Sequence, residues 1–203
     1  LAVGLSAAER GGVRPGDAVA VLGSGPIGLL TLQAARAAGA TTLIAIDIMD
    51  YRLEQALRLG ATHAINDSDG SAVEQVRAIT SALRGFEPAY SGVDVAFETA
   101  GSVPTTRNAL AVTRPGGVAV LVGLPAQPMV ELDIVSAASK AIDIRGLFRY
   151  ANQYPTGIAL TAAGRVDVTS LVTHHFPLRE AEEALRFADE HKGDSLKVMV
   201  DIK

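Results

Sequence analysis

Cysteine and tryptophan are both absent from the 203 residues. No disulfide framework, thiolate nucleophile or cysteine-type zinc site can therefore be built from this stretch, and the usage agrees with a cytoplasmic protein. Aromatic residues reach only 4%, too few for the stacking platforms that hold single-stranded nucleic acid. Charge of one sign never accumulates: 18 Lys and Arg stand against 22 Asp and Glu, a net charge of −4 with no long run of either. Nucleic acid is excluded as an expected partner, and so is a disordered charged tail. An uncharged span from Ala18 to Ala35 raises the question of a membrane helix on length alone. Its interior removes it, because Gly23, Ser24, Gly25, Pro26 and Gly28 divide the span into a strand-like and a helix-like run. No membrane partner and no signal peptide are expected.

What remains is aliphatic. Hydrophobic residues make up 48% of the chain, enough for a sizeable core. Ala18-Val-Ala-Val-Leu22 is a short apolar run of the kind buried on both faces of a parallel sheet. Pro26 fits a first helical turn, and apolar spacing continues to a stop at Gly39. The alternation repeats with a strand at 42–46, a helix at 51–59, a strand near 63–65, a helix at 71–83 and a strand at 93–97. A helix at 105–112 and strands at 118–122 and 142–148 follow. Six strands alternating with helices predict an α/β fold with a doubly wound six-stranded parallel Rossmann sheet, since each parallel crossover needs a dozen or more residues.

The ends break the rhythm. Residues 1–10 read as a helix with nothing visible to pack on. After residue 150 come a helix at 155–163, an irregular stretch at 171–177, a helix at 179–190 and a strand at 196–202, with no further βαβ unit and no sheet of their own. The expected organisation is a helix at 1–12 set apart from a doubly wound domain at 13–150, with a closing segment at 151–203. Both ends read as pieces of a second domain. The chain opens on Leu1, which predicts an excised portion of a longer protein.

Gly23-Ser-Gly25-Pro-Ile-Gly28 is a G-x-G-x-x-G placed after a predicted strand and opening a helix. Glycines there supply a tight turn, close approach of backbone to a pyrophosphate, and close helix–strand packing, while the helix N-terminus offers free N–H groups to an anion. The hexapeptide alone is weak, since Gly-rich turns are common. Asp47 sharpens it: about 20 residues beyond the last glycine, at the end of the second strand, an acid accepts hydrogen bonds from the adenosine ribose. It also repels a 2′-phosphate, which favours NAD over NADP. The competing reading of Asp47 is a helix cap. A methyltransferase using S-adenosylmethionine shares the glycines and the acid, but its loop is usually preceded by an acid where Val21 and Leu22 stand.

With these residues the chain resembles the cofactor-binding half of the zinc-dependent medium-chain dehydrogenases. Gly12-Val-Arg-Pro-Gly-Asp17, Phe97-Glu-Thr-Ala-Gly101 and Arg114-Pro-Gly-Gly-Val-Ala-Val-Leu-Val-Gly123 are similar to segments shared across that superfamily. Gly146-Leu-Phe-Arg-Tyr150, Leu171-Val-Thr-His-His-Phe-Pro-Leu178 and Lys197-Val-Met-Val200 resemble its sorbitol and xylitol (polyol) dehydrogenase group. The resemblance implies hydride transfer between NAD and a secondary alcohol of a polyol, a homodimer or homotetramer, and a catalytic zinc held only in an N-terminal domain upstream of Leu1. It also implies that 13–150 is an NAD-binding domain, that 1–12 is the helix of the catalytic-domain junction, and that 151–203 is the return segment of the catalytic domain. This segment alone is expected to be inactive.

The motif and its spacing assign cofactor binding to Gly23, Gly25, Pro26, Ile27, Gly28 and Asp47, and Arg52, five residues beyond Asp47, either lies over the adenine or near the ribose or is a solvated helix charge; the resemblance extends the path. Thr99, Ala100, Val122, Gly123, Leu124, Leu147 and Phe148 would follow the cofactor toward the nicotinamide. Arg149, also at the cofactor, and Tyr150 become substrate-side candidates, and Glu98 lies close to the cofactor path or caps a loop. No metal ligand is assigned among His63, His174, His175 and His191, the adjacent pair pointing to opposite faces of an extended segment. Another medium-chain alcohol or threonine dehydrogenase is the nearest alternative, and a non-catalytic NAD(H) sensor the alternative of another class.

Overall fold

The computed structural model describes residues 1–85 and 87–202. It opens with α1 (Ala2–Gly11), which ends where Gly12 turns left-handed at φ 68° and returns its N–H to the helix. Then come β1 (Ala18–Leu22), α2 (Pro26–Ala37), β2 (Thr42–Asp47), α3 (Asp50–Arg58), β3 (His63–Asn66) and α4 (Ala72–Arg84). The second half of the sheet follows as β4 (Val93–Glu98), α5 (Val103–Val112), β5 (Thr113–Leu121), α6 (Ile134–Ser139) and β6 (Asp143–Gly146). The chain closes with α7 (Tyr154–Ala162), β7 (Val172–Pro177), α8 (Ala181–Glu190) and β8 (Lys197–Asp201).

The main sheet is parallel throughout, in the order β3-β2-β1-β4-β5-β6. Every residue of β1 is buried, because helices cover both faces of the sheet. Val19, Val21 and Phe97 belong to the core on one face; Ala20, Leu22 and Ala96 belong to the other. Strand order reverses between β1 and β4, which opens a crevice at their carboxyl ends, the place where such sheets receive ligands.

Three expectations need correction. The stretch at 171–177 is a strand: β7 and β8 pair in parallel across α8, so the tail has a small sheet of its own and a βαβ unit. Polar residues interrupt this strand and none of β7 is fully buried, so it lacks the apolar run that marks β1. The last strand of the main sheet spans only 143–146, leaving Leu147 and Phe148 in the loop beyond it. Third, the first helix does have a packing partner. It crosses α2 so closely that a Cβ on Gly4 would stand 2.7 Å from the Leu30 carbonyl carbon, and Ala7 is completely buried in the sheet core.

The C-terminal part after β6 is tied in as well. The buried side chain of Gln33 on α2 donates to the Asp167 carbonyl at 2.9 Å and accepts the Asp167 N–H at 2.7 Å. Leu171 and Leu196 join the core that contains Val19 and Phe97. Among the described residues, no helix is long and apolar enough to cross a membrane.

Candidate functional site

The glycine-rich loop leaves β1 at Gly23, whose φ of +99° a side chain rarely adopts. Gly23 lies under Ala100, which a Cβ would meet at 2.7 Å. Gly28 is more tightly constrained: its Cβ would fall 1.8 Å from the Gly23 carbonyl oxygen and 2.9 Å from Thr99 Oγ1. These two glycines let α2 start directly against the strand ends. Gly25 is different. Its backbone is ordinary extended chain at φ −71°, and a Cβ there would meet only Arg52 Nη1, at 3.9 Å. The space over Gly25 is open.

That space faces the start of α2. No side chain caps this helix, Pro26 has no N–H, and the first intrahelical bond is donated by Leu29 to Gly25. The N–H groups of Ile27 and Gly28 are thus left outside the helical ladder, next to the positive end of the helix dipole. An anion placed there would meet both.

Asp47 ends β2 with its carboxylate turned onto the loop. Oδ2 accepts the Ser24 N–H at 2.7 Å, and Oδ1 accepts the N–H groups of Ile48 at 2.8 Å and Met49 at 3.1 Å. The cap position of α3 is Met49, so Asp47 ties the second strand to the glycine loop and shapes the turn before that helix. Of roughly four acceptor positions on a carboxylate, three are in use. Arg52 reaches back from α3, with Nη1 3.8 Å from Asp47 Oδ2. Its Nε is buried without an acceptor, as is the hydroxyl of Ser24. Arg52 therefore closes the crevice beside Gly25.

Glu98, the last residue of β4, is completely buried and organises the next layer. Its Oε1 accepts from the N–H groups of Ala100 at 3.0 Å and Gly101 at 2.7 Å and from the Thr105 hydroxyl at 2.7 Å. Its backbone carbonyl accepts the N–H groups of Val122 and Gly123, both at 2.9 Å. Oε2 has no partner among the described residues, and a Cβ on Gly123 would lie 2.5 Å from it. Glu98 does cap a loop, and it also joins the loop after β4 to the loop after β5. Thr99 turns its hydroxyl away from the crevice, donating to the carbonyls of Leu22 at 3.0 Å and Gly23 at 2.7 Å. Its backbone and exposed Ala100 line the crevice instead.

On the far side, Gly101 lies 3.0 Å from the Leu124 backbone by its would-be Cβ, and the Leu147 N–H donates to Leu121 at 3.0 Å. Leu124 and Phe148 are exposed apolar side chains at this rim. Arg149 has a left-handed backbone at φ 62° and stands with its guanidinium carbon 5.3 Å from the Phe148 ring centroid. Left-handed backbone costs a non-glycine residue about 1–2 kcal/mol. The Tyr150 hydroxyl is 2.9 Å from that of Tyr154, and this hydrogen bond holds the Tyr154 phenol above its ordinary pKa. A cavity of about 630 Å³ opens beside the two tyrosines, lined also by Leu1, Ile158 and Val168.

The structure thus gathers Gly23, Gly25, Pro26, Ile27, Gly28, Asp47, Arg52, Thr99 and Ala100 around one crevice, with Val122, Gly123 and Leu124 joined to it through Glu98 and Gly101. Leu147, Phe148, Arg149 and Tyr150 lie beyond the neighbouring strand. Sequence reasoning left Glu98 on the margin, and the signal for it was present: a Glu ending an apolar strand with a hydroxyl and two small residues following. Each histidine has a local partner. His174 packs 4.5 Å from the Phe187 ring, His175 points the other way to Asp201 at 3.2 Å, His191 stacks on Phe187 at 4.0 Å, and His63 pairs with the Thr62 hydroxyl at 2.9 Å. Among the described residues, no group of three or more His, Cys, Asp and Glu side chains is arranged to hold a metal.

Comparison with known proteins places this architecture. The profile of the zinc-binding dehydrogenases matches residues 26–163. The sorbitol dehydrogenase of Bacillus subtilis (strain 168) is 43% identical over 198 residues, which cover 98% of this chain and 54% of that protein. The sorbitol dehydrogenase of Ovis aries is 39% identical over 200 residues, with the same two coverages. The chain therefore spans about half the length of the curated relatives it matches. Among solved structures, an Escherichia coli oxidoreductase of unknown specificity superimposes with a TM-score of 0.90 at 33% identity, over 99% of this chain and 56% of its own. A protein from Sinorhizobium meliloti 1021 assigned as a zinc-binding dehydrogenase and bound to NADP gives 0.88 at 29% identity, over 99% of this chain and 57% of its own. By sequence along the whole chain and by fold, this protein belongs to the zinc-binding dehydrogenase family, with the sorbitol dehydrogenases among its relatives.

Proposed function

We propose that this chain is the dinucleotide-holding portion of an NAD-dependent polyol dehydrogenase. The observation that carries the reading is the open space over Gly25, bounded by uncapped N–H groups at the start of α2, by Asp47 and by Arg52. A pyrophosphate fits that description: it needs close backbone, N–H donors and no side chain in the way. Asp47 would take a ribose hydroxyl on its remaining acceptor position, and Arg52 would lie over the adenosine side. A 2′-phosphate brought against the Asp47 carboxylate is repelled, so NAD is the expected cofactor, although the Sinorhizobium meliloti relative is bound to NADP. Loss of charge-assisted hydrogen bonds of roughly 1.5–3 kcal/mol corresponds to about ten- to a hundredfold in affinity.

Thr99, Ala100, Val122, Gly123, Leu124, Leu147 and Phe148 would hold the nicotinamide side, with Glu98 fixing the loops that present them. A bound nicotinamide supplies the hydride acceptor for alcohol oxidation. Arg149 and Tyr150 would orient a polyol through its hydroxyls, and the exposed Phe148 ring gives Arg149 an apolar face to rest on. Residues 13–150 form the dinucleotide unit in this reading. Residues 1–12 make the junction and residues 151–203 the return segment of a catalytic domain, where the zinc of the whole enzyme would be bound outside these residues. The whole protein is proposed to be a cytoplasmic homodimer or homotetramer, with β6 at the sheet edge available for pairing. The segment alone is expected to bind cofactor without oxidising a polyol.

Titration of the chain with NADH, NADPH and S-adenosylmethionine, followed by nucleotide fluorescence and calorimetry, tests the reading. Selective NADH binding supports it. Preference for S-adenosylmethionine, or NADPH binding at least as tight as NADH, refutes the cofactor assignment.

A further inference from the structure

A cavity of about 530 Å³ lies between α4, α5 and α6, built on elements other than the glycine-rich loop. Three cations converge on it: Arg77 from α4, Arg107 from α5 and Lys140 at the end of α6. In a chain with a net charge of −4, such a grouping requires a local reason. Like charges brought together in a partly dehydrated space repel one another unless an anion lies between them.

The cavity's own carboxylates do not fill that role. Asp133 uses Oδ1 to accept the Ser136 N–H at 2.9 Å, capping α6. Arg107 Nε donates to the Glu131 carbonyl at 3.0 Å, which fixes the guanidinium at the cavity without neutralising it, and the Glu131 carboxylate 3.4 Å from Arg107 is 97% exposed, so the pair is solvent-screened. Among the described residues the Arg77 guanidinium makes one hydrogen bond, from Nη2 to the Ala111 carbonyl at 3.2 Å, and its buried Nε meets no acceptor. The Lys140 ammonium makes no hydrogen bond or ion pair among the described residues. Burial holds its pKa below the ordinary value, the charge of Arg77 lowers it further, and Asp133 partly opposes the shift.

We propose that this cavity is a binding site for a phosphate monoester of a small molecule, with the guanidinium groups of Arg77 and Arg107 and the ammonium of Lys140 as its donors. Planar guanidinium groups match the oxygens of a phosphate, and a lysine supplies a mobile point charge beside them. The volume exceeds that of inorganic phosphate and falls within the range of small-molecule pockets, about 300–1,000 Å³. An anion seated there satisfies Lys140 and relieves its repulsion with Arg77.

The test is calorimetric titration of the full chain with inorganic phosphate at constant ionic strength, with NADH present to occupy the anion-accepting end of α2. One saturable site is expected, weakened at least tenfold in Lys140→Met and in Arg77→Met, with NADH affinity unchanged within twofold. Arg107→Gln, with its Tm measured alongside because Arg107 Nε also donates to the Glu131 carbonyl, should weaken phosphate at least threefold. Absence of saturable phosphate binding overturns the proposal, as does equal affinity in the wild type, Lys140→Met and Arg107→Gln. If NADH itself fails to bind, the cofactor reading fails. The phosphate site is still read from whether the Lys140 and Arg107 variants lose one bound phosphate.

Discussion

Two glycines of one motif should respond in opposite ways to the same methyl group. At Gly28 an added Cβ lies 1.8 Å from the Gly23 carbonyl oxygen, which is backbone and cannot rotate aside. Relief requires α2 to move off β1, and overpacking of this kind costs about 1–3 kcal/mol or more. For a chain of this size each kcal/mol shifts Tm by roughly 2–4 °C, so Gly28→Ala should melt about 2–12 °C lower. At Gly25 the backbone already suits alanine and the nearest atom is Arg52 Nη1 at 3.9 Å. Gly25→Ala should therefore keep its Tm within roughly 4 °C, a cap-position change costing ~1 kcal/mol at most. It should nevertheless weaken NADH at least tenfold, because its methyl occupies the space assigned to the pyrophosphate. Thermal unfolding followed by circular dichroism gives the first quantity and NADH fluorescence the second. Wild-type NADH affinity in a folded Gly25→Ala would refute the assignment of that space, and an undiminished Tm in Gly28→Ala would refute the packing argument.

Asp47→Ser should narrow the NADH-to-NADPH preference by about ten- to a hundredfold, measured as the ratio of the two dissociation constants; an unchanged ratio removes Asp47 from the site. Burial would raise the Asp94 carboxyl, but the Ala18 N–H and the side chains of Arg114 and Arg84 hold it below its ordinary value of 3.8. Its contribution to stability is therefore full above that value and is lost as pH falls through the lower folded value. Asp94→Asn should flatten the fall of Tm between about pH 5 and pH 2, and an equally steep fall would dissociate acid lability from this cluster. Arg149→Gly should relieve left-handed strain and raise stability by up to about 1 kcal/mol, while the full-length enzyme carrying it loses polyol turnover. A higher Tm with normal turnover would take Arg149 out of the substrate site.

The main sheet was legible because strands buried on both faces are written as unbroken apolar runs, as in Ala18–Leu22, and their helices end at glycines such as Gly39 and Gly60. β7 was not, since its polar residues and half-buried faces carry neither a continuous run nor a clean alternation. α6 escaped notice because six residues leave no room for a periodic pattern, and only the Asp133 cap marks it. At the site, Gly23 to Gly28 and Asp47 could be read from spacing. The different duties of the three glycines could not, because they depend on which neighbour each would touch across the crevice. Glu98 shows the same limit: hydrogen bonds to residues near in sequence could be guessed from its position, whereas its approach to Gly123 arises only when β4 and β5 lie side by side.

The double hydrogen bond between Gln33 and Asp167 gives α2 a mechanical role. This helix is a stiff rod of about 18 Å, with the glycine loop at its start and the chain at Asp167 gripping it by Gln33. Residues 165–170 cannot slide past the sheet without either breaking both bonds at once or dragging the rod along its axis. Strain applied to the tail is thereby delivered, along a path with few soft joints, to the uncapped backbone amides at the start of α2.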